Sequence, residues 1–354
     1  VEPSARLHLC PMADGGEGTV DAVVAATGGE WVTAQVTGPR GEPVEARYGR
    51  FHGGESAVIE MAAASGLPLV PPGERDPRHT STRGTGELVI HALARGARRI
   101  LLGIGGSATN DGGAGFAQAL GVRLLDDTGS ELPPGGAALA ALKTIDCAGL
   151  DPRLARCDLL VACDVRNPLT GVQGASNVFG PQKGATNEMV DTLDAALTHY
   201  ARIIEQQLNR DVAQMPGSGA AGGLGAGLLA FTDATLKPGV ELVAELTGLP
   251  ALLADADLVI TGEGRVDGQT AQGKVAAGVA RFAAAAGVPV IMLCGTLGEG
   301  YEALYEEGIC AMFSIAPGPL PLDLALAQTE AHLEATARNL ARVWTGARSA
   351  ITLA

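Results

Sequence analysis

Aromatic side chains make up only 3% of this 354-residue chain. A core built with so few of them packs mainly Ala, Val and Leu, and an apolar content of 46% is that of a globular chain. Runs of Lys or Arg are missing too, and the net charge is −14. Phosphate contacts from a basic face supply most nucleic-acid affinity, so DNA, RNA and anionic membranes are not expected partners. A nucleotide stays open, because it needs only a local site and a metal. No C-x-x-C pair occurs. Cys10, Cys147, Cys157, Cys163, Cys294 and Cys310 lie mostly in or beside apolar runs and read as reduced thiols, not as disulfides or zinc ligands. No apolar run reaches the ~20 residues of a membrane span. Residues 1–4 do not open a signal peptide, so a cytoplasmic location is expected. Neither G-x-x-x-x-G-K-[ST] nor an uninterrupted G-x-G-x-x-G at a first βα turn is present, which sets aside a Walker-type kinase and a plain dinucleotide-binding dehydrogenase. The histidines at 8, 52, 79, 91, 199 and 332 avoid the glycine-rich loops, so a His-dependent triad has little support.

Glycine, by contrast, is abundant, at 50 residues. It tolerates φ > 0 and lets backbone approach a ligand, so glycine beside Asp, Asn, Ser or Lys is the pattern to follow. The chain length implies two domains, since single cores stop growing near ~250–300 residues. Residues 6–10 read as a strand, 11–19 as a glycine-rich turn and 20–26 as a helix. Residues 32–48 read as a β-hairpin around Gly-Pro-Arg-Gly. Apolar strands are expected at 100–104, 158–163, 258–261, 288–294 and 310–315. Helices are expected at 86–94, 188–208, 240–246, 275–286, 301–307 and 322–344. Strand–helix alternation with short apolar strands is the signature of a parallel sheet covered on both faces. The expected fold is α/β: a Rossmann-like doubly wound domain from 1–38 and 238–354, a second α/β domain inserted at 39–237, and a ligand cleft between them. A domain that opens so abruptly is expected to lack an upstream piece.

Five loops join glycine to polar groups, and in open α/β sheets ligands bind beyond the carboxyl ends of strands. They are 14–17, 107–111, 164–167, 218–223 and 263–274. Asp14, Asp111, Asp164, Glu263 and Asp267 supply carboxylates there. Such groups suit Mg²⁺ binding and acceptance of a hydroxyl proton, which is what phosphoryl transfer requires. Capping or turn formation is the plain alternative for any one of them, and Glu17 reads as a first-turn helix acid. Only four of the 25 basic residues are lysines. Two of these, Lys183 and Lys274, sit in polar glycine-rich segments, where an amine can neutralise phosphate beside free backbone N–H groups. Ser107, Thr109 and Asn110 follow a strand and read either as anion ligands or as a helix-capping cluster.

Eight segments together resemble the type I glycerate kinase family. They are PMADGGEGTVDA (11–22), GTGELVIHAL (84–93), GIGGSATNDGGAGFAQALG (103–121), CDVRNPLTG (163–171), FGPQKGA (179–185), PGSGAAGGLGAGL (216–228), ITGEGRVDGQTAQGK (260–274) and VPVIMLCG (288–295). The resemblance implies ATP-dependent phosphorylation of D-glycerate to a phosphoglycerate, with Mg²⁺, the 2- or 3-product left open. Another small hydroxy acid, or a non-catalytic ligand-binding member, is the alternative. The resemblance implies an active-site region at Asp14, Ser107, Asn110, Asp164, Asn167, Asp267 and Lys274. Asp267 or Asp164 would be the base, with the other near the metal, Lys274 on phosphate, and Ser107 and Asn110 on the carboxylate. Asp111, Lys183, Glu263 and Arg265 join them as candidate binding residues. Homo-oligomerisation is left open. The family's usual opening strand and Pro-Asp-Ser-Phe-Lys segment do not occur in this sequence.

Overall fold

The computed structural model describes residues 5–268, 270 and 274–352, with side chains to residue 346. It divides into two compact units, Pro11–Thr247 and Val1–Cys10 with Gly248–Ala354.

The larger unit is built on a six-stranded sheet. Strands β1 (Glu30–Thr37) and β2 (Pro43–Phe51) form the expected hairpin, and β3 (Ser56–Glu60) pairs antiparallel to β2. Strand β4 (Arg99–Gly103) then runs parallel to β3. Strands β5 (Arg123–Leu125) and β6 (Thr144–Asp146) make a separate two-stranded ribbon. Strands β7 (Asp158–Ala162) and β8 (Thr235–Lys237) complete the parallel part, in the order β1-β2-β3-β4-β7-β8. The unit's helices are α1 (Thr19–Thr27), α2 (Ala62–Ser65), α3 (Arg83–Ala94), α4 (Ala114–Ala119), α5 (Ala175–Phe179), α6 (Asn187–Leu208), α7 (Ala220–Phe231) and α8 (Gly239–Thr247).

Successive strand residues face opposite sides of a sheet, and here both sides are apolar. Ala57, Ile59, Ile100, Leu102 and Val161 enter one core with Leu88 and Val89 of α3 and Leu224 and Leu228 of α7. Val58, Leu101 and Ala162 enter the other with Val20 and Val23 of α1 and Leu242 and Val243 of α8. Each such buried Val, Leu or Ile side chain contributes roughly 1.5–3 kcal/mol. The expected α/β class, parallel strands covered on both faces, is therefore what the chain forms. Because β3, β4, β7 and β8 are parallel, their carboxyl ends lie along one edge of the sheet, and polar loops follow β4 and β7.

In the smaller unit, α9 (Leu249–Leu253), β9 (Val259–Val266), α10 (Val275–Ala285), β10 (Val290–Leu297), β11 (Ile309–Ser314), α11 (Leu322–Ala327) and α12 (Thr329–Thr352) alternate around a parallel sheet ordered β11-β10-β9. Ile291 and Leu293 of β10 pack with Leu340 of α12.

Several elements differ from the sequence reading. Among the described residues, 6–10 form no strand, and Leu7 and Leu9 are exposed. The helix expected at 322–344 is two helices broken at Gln328, and 301–307 is a short 3₁₀ turn. β9 continues through Val266, because Glu263 to Val266 lie in register with Cys294 to Leu297 of β10. α1 and β1 belong to the larger unit, since β1 hydrogen-bonds along its whole length to β2. All six cysteines are free, and Cys294 is buried. Among the described residues, no helix is long and apolar enough to cross a membrane.

Candidate active site

Four of the five polar loops meet at the carboxyl edge of the larger sheet. The Asp14 loop is pressed onto the ends of β4 and β7. Gly15 has φ +92°, a left-handed conformation that favours glycine, and a Cβ there would collide with Ala162. Thr19 Oγ1 accepts from Gly15 N at 3.0 Å and donates to Gly16 O at 2.8 Å, which closes the turn. Asp14 Oδ1 accepts from Gly16 N at 3.2 Å. Glu60, at the end of β3, accepts from Val20 N at 2.9 Å and so caps the start of α1.

Asp164 follows β7 and is exposed. Its Oδ1 accepts from Gly239 N at 2.9 Å, the first residue of α8, where a carboxylate answers the helix dipole. Position 239 admits no side chain, because a Cβ would run into the Asp14 main chain. Asp14, Asp164 and the start of α8 are thus brought together. Asn167 donates from Nδ2 to Gln173 O at 2.8 Å, and its own carbonyl accepts from Gly219 N at 3.0 Å. The glycine cluster then reaches the loop after β4, where Gly112 N donates to Gly222 O at 3.0 Å.

That loop, residues 104–113, is anchored from behind. Lys183 is 2% exposed, and its Nζ donates to Ser107 Oγ and to Thr109 O, both at 2.7 Å. Asn110 is fully buried: Nδ2 donates to Ser176 Oγ at 2.9 Å, while Oδ1 has no partner among the described residues. Asp111, also fully buried, accepts from Thr82 N at 2.8 Å, Thr82 Oγ1 at 2.9 Å, Gly113 N at 3.1 Å and Gly115 N at 3.2 Å. Burial pushes its carboxyl above the usual range, opposed by those donors. The sequence names Asn110, Asp111 and Lys183 as candidate binding residues; all three are buried and bond to protein groups in and around the loop that carries Ser107.

Burial also drives the Lys183 amine down to about 7, with the Asp111 charge pulling the other way. The folded value lies below the ordinary 10.5, so the unfolded chain binds more protons between these two pH values. Stability is therefore expected to rise as pH increases from about 7 towards 10, by roughly 1 kcal/mol per pH unit at most. Urea unfolding at half-unit pH steps measures this. Lys183→Met should flatten the difference, and an identical slope in parent and variant would count against the buried amine.

In the smaller unit, Glu263 and Arg265 lie on β9 and Asp267 follows it. Thr270 is fully buried: Oγ1 donates to Glu263 Oε1 at 2.5 Å and accepts from Asp267 N at 3.2 Å. Arg265 Nε donates to Asp267 Oδ2 at 3.2 Å. Lys274 is exposed at the N-cap of α10. The loop expected at 263–274 is strand as far as Val266, and Gln269 and residues 271–273 lie outside the described residues. Among the described residues, no three His, Cys, Asp or Glu side chains are grouped to hold a metal ion.

The sequence matches the model of the glycerate kinase family across residues 1–345. The chain belongs to the glycerate kinase family. It is 56% identical to a glycerate kinase of Halalkalibacterium halodurans, covering 97% of this chain and 90% of that one. It is 51% identical to Escherichia coli glycerate 2-kinase, with 96% and 89% covered. A solved structure named "putative glycerate kinase 2" of Salmonella typhimurium LT2 superposes with a TM-score of 0.89 at 52% identity, over 98% of this chain and 91% of that one.

For a glycerate kinase family member, the donor set fits Mg²⁺ as kinases use it, through one or two carboxylates with substrate phosphates and water rather than an all-protein cage. Asp14, whose main chain lies against the start of α8, is one such carboxylate. Sequence reasoning missed Glu60, Thr82, Ser176 and Thr270. Of these only Thr270 carried a signal, a hydroxyl inside the glycine-rich run DGQTAQG. The others are distant in sequence from the loops they brace.

Proposed function

We propose that this chain phosphorylates D-glycerate, taking the γ-phosphoryl group of ATP with Mg²⁺. The supporting observation is the meeting of Asp14, Asp164 and the Ser107 loop at the carboxyl edge of parallel strands, with a helix N-terminus among them. Asp164 is the group proposed to accept the hydroxyl proton, and Ser107 to hold the substrate carboxylate. Asp267 is the second candidate base and metal ligand, and Lys274, with Arg265 and Glu263, is proposed for the phosphates. When bound, Mg²⁺ neutralises charge on phosphate oxygens. The transition state needs little covalent chemistry from the protein, so positioning and charge placement carry the rate. The name of the 51%-identical E. coli relative favours the 2-hydroxyl as acceptor.

A coupled ADP-release assay with glycerate, lactate and tartrate tests this reading. Turnover is expected with glycerate, at a kcat/KM at least 10²-fold above lactate, which lacks a hydroxyl the site would bind. Absence of ADP with all three would remove it. Phosphorus NMR of the product distinguishes the 2- from the 3-phosphate.

A further inference from the structure

Among the described residues, Lys183 is a buried amine that the proposed chemistry leaves without a task. Its amine does not face solvent, yet it reaches across 76 residues of sequence to the loop that presents Ser107. It joins two points of that loop, a side-chain oxygen at 107 and a carbonyl at 109. Thr80 Oγ1 bonds Ala108 O at 2.9 Å from another side, so the backbone around Ser107 has little freedom. Ser107 is 8% exposed against 2% for Lys183, so it is the less buried of the two. A lysine ammonium has donors only. When it donates to Ser107 Oγ, the serine's own hydrogen is directed elsewhere, and among the described residues the hydroxyl donates to no protein acceptor. A hydroxyl that accepts a charge-assisted bond is in turn a stronger donor.

We infer that Lys183 is a positioning residue: it fixes the Ser107 hydroxyl as a hydrogen-bond donor to a carboxylate oxygen of the acidic substrate. The inference rests on the glycerate reading above and adds the residue that makes Ser107 a one-way donor. Lys183 itself touches no substrate. Its effect passes wholly through Ser107, and this separates it from a phosphate-binding lysine, whose loss would fall on ATP and on kcat.

The test is a double-mutant cycle on the full chain, with glycerate and ATP varied separately and folding monitored by circular dichroism. Lys183→Met and Ser107→Ala are each expected to raise KM for glycerate roughly 10-fold, with KM for ATP and kcat within about 3-fold of the parent. The double variant is expected to be no worse than either single one, because both remove the same interaction. If Lys183→Met does not fold, Lys183→Gln carries the cycle, since its amide keeps two N–H donors; its KM for glycerate is expected between those of the parent and Ser107→Ala. Losses that multiply to about 100-fold, or that fall on kcat or KM for ATP, overturn the inference and leave the glycerate reading standing. A parent that releases no ADP with glycerate overturns both.

Discussion

Asp164→Asn is expected to lower kcat for glycerate phosphorylation by about 10²–10⁴-fold and to leave unfolding free energy within about 1 kcal/mol of the parent. The two halves of this expectation come from different atoms of one side chain. Asp164 Oδ1 receives the Gly239 N–H at the start of α8, and the amide oxygen of asparagine accepts that bond equally well. The charge is lost, and a carboxylate at a helix N-terminus is worth about 0.3–1 kcal/mol to stability. Proton acceptance depends on that charge. Its removal costs about 2.7–5.5 kcal/mol of transition-state stabilisation at the stated fold-loss. Steady-state kinetics beside thermal unfolding separates the effects. A variant that turns over at the parental rate passes the role to Asp267, whose Asn variant should then show the loss. A variant slow only because it is partly unfolded would regain rate per folded molecule.

Much of this architecture could be read before any coordinates. Glycine beside Asp, Ser or Asn after a short apolar strand marks a loop at a strand's carboxyl end, and 14–17, 107–111, 164–167 and 218–223 all occupy such places or brace them. The hairpin was legible from alternation around Gly-Pro-Arg-Gly, and α6 from its long amphipathic period. What failed was whatever depends on partners distant in sequence. GEGRV at 262–266 reads as loop because two glycines weaken a strand, yet pairing with β10 holds it extended. Strand–helix rhythm alone groups residues 1–38 with 238–354, whereas the ladder from β1 to β2 binds residues 30–37 into the larger sheet. Asn110, Asp111 and Lys183 resemble Asp14 and Lys274 in local composition. Sequence composition does not say which way a polar side chain faces; the hydroxyls and amides waiting for it do, and Thr82, Gly115 and Ser107 are set by tertiary packing.

Asp111 gives the sharpest measure of that distinction. Asp111→Ala is expected to reduce unfolding free energy by about 3–5 kcal/mol, against a typical total of about 5–15 kcal/mol. The carboxylate receives three backbone N–H groups, from Thr82, Gly113 and Gly115, in a place without solvent. An unpaired buried N–H costs about 1–3 kcal/mol, and partial relaxation keeps the sum below three full penalties. The Thr82 hydroxyl adds to the effect, because it accepts from Phe116 N at 2.9 Å while donating to Asp111, so one deletion loosens the start of α3 and the first turn of α4 together. Asp111→Asn should cost less, about 2–3 kcal/mol, since one oxygen still accepts while the new NH₂ faces donors. Urea unfolding measures both. A ligand-binding aspartate would show the opposite signature, with near-parental stability and a raised KM, and finding it would return Asp111 to the substrate and require another anchor for the loop that carries Ser107.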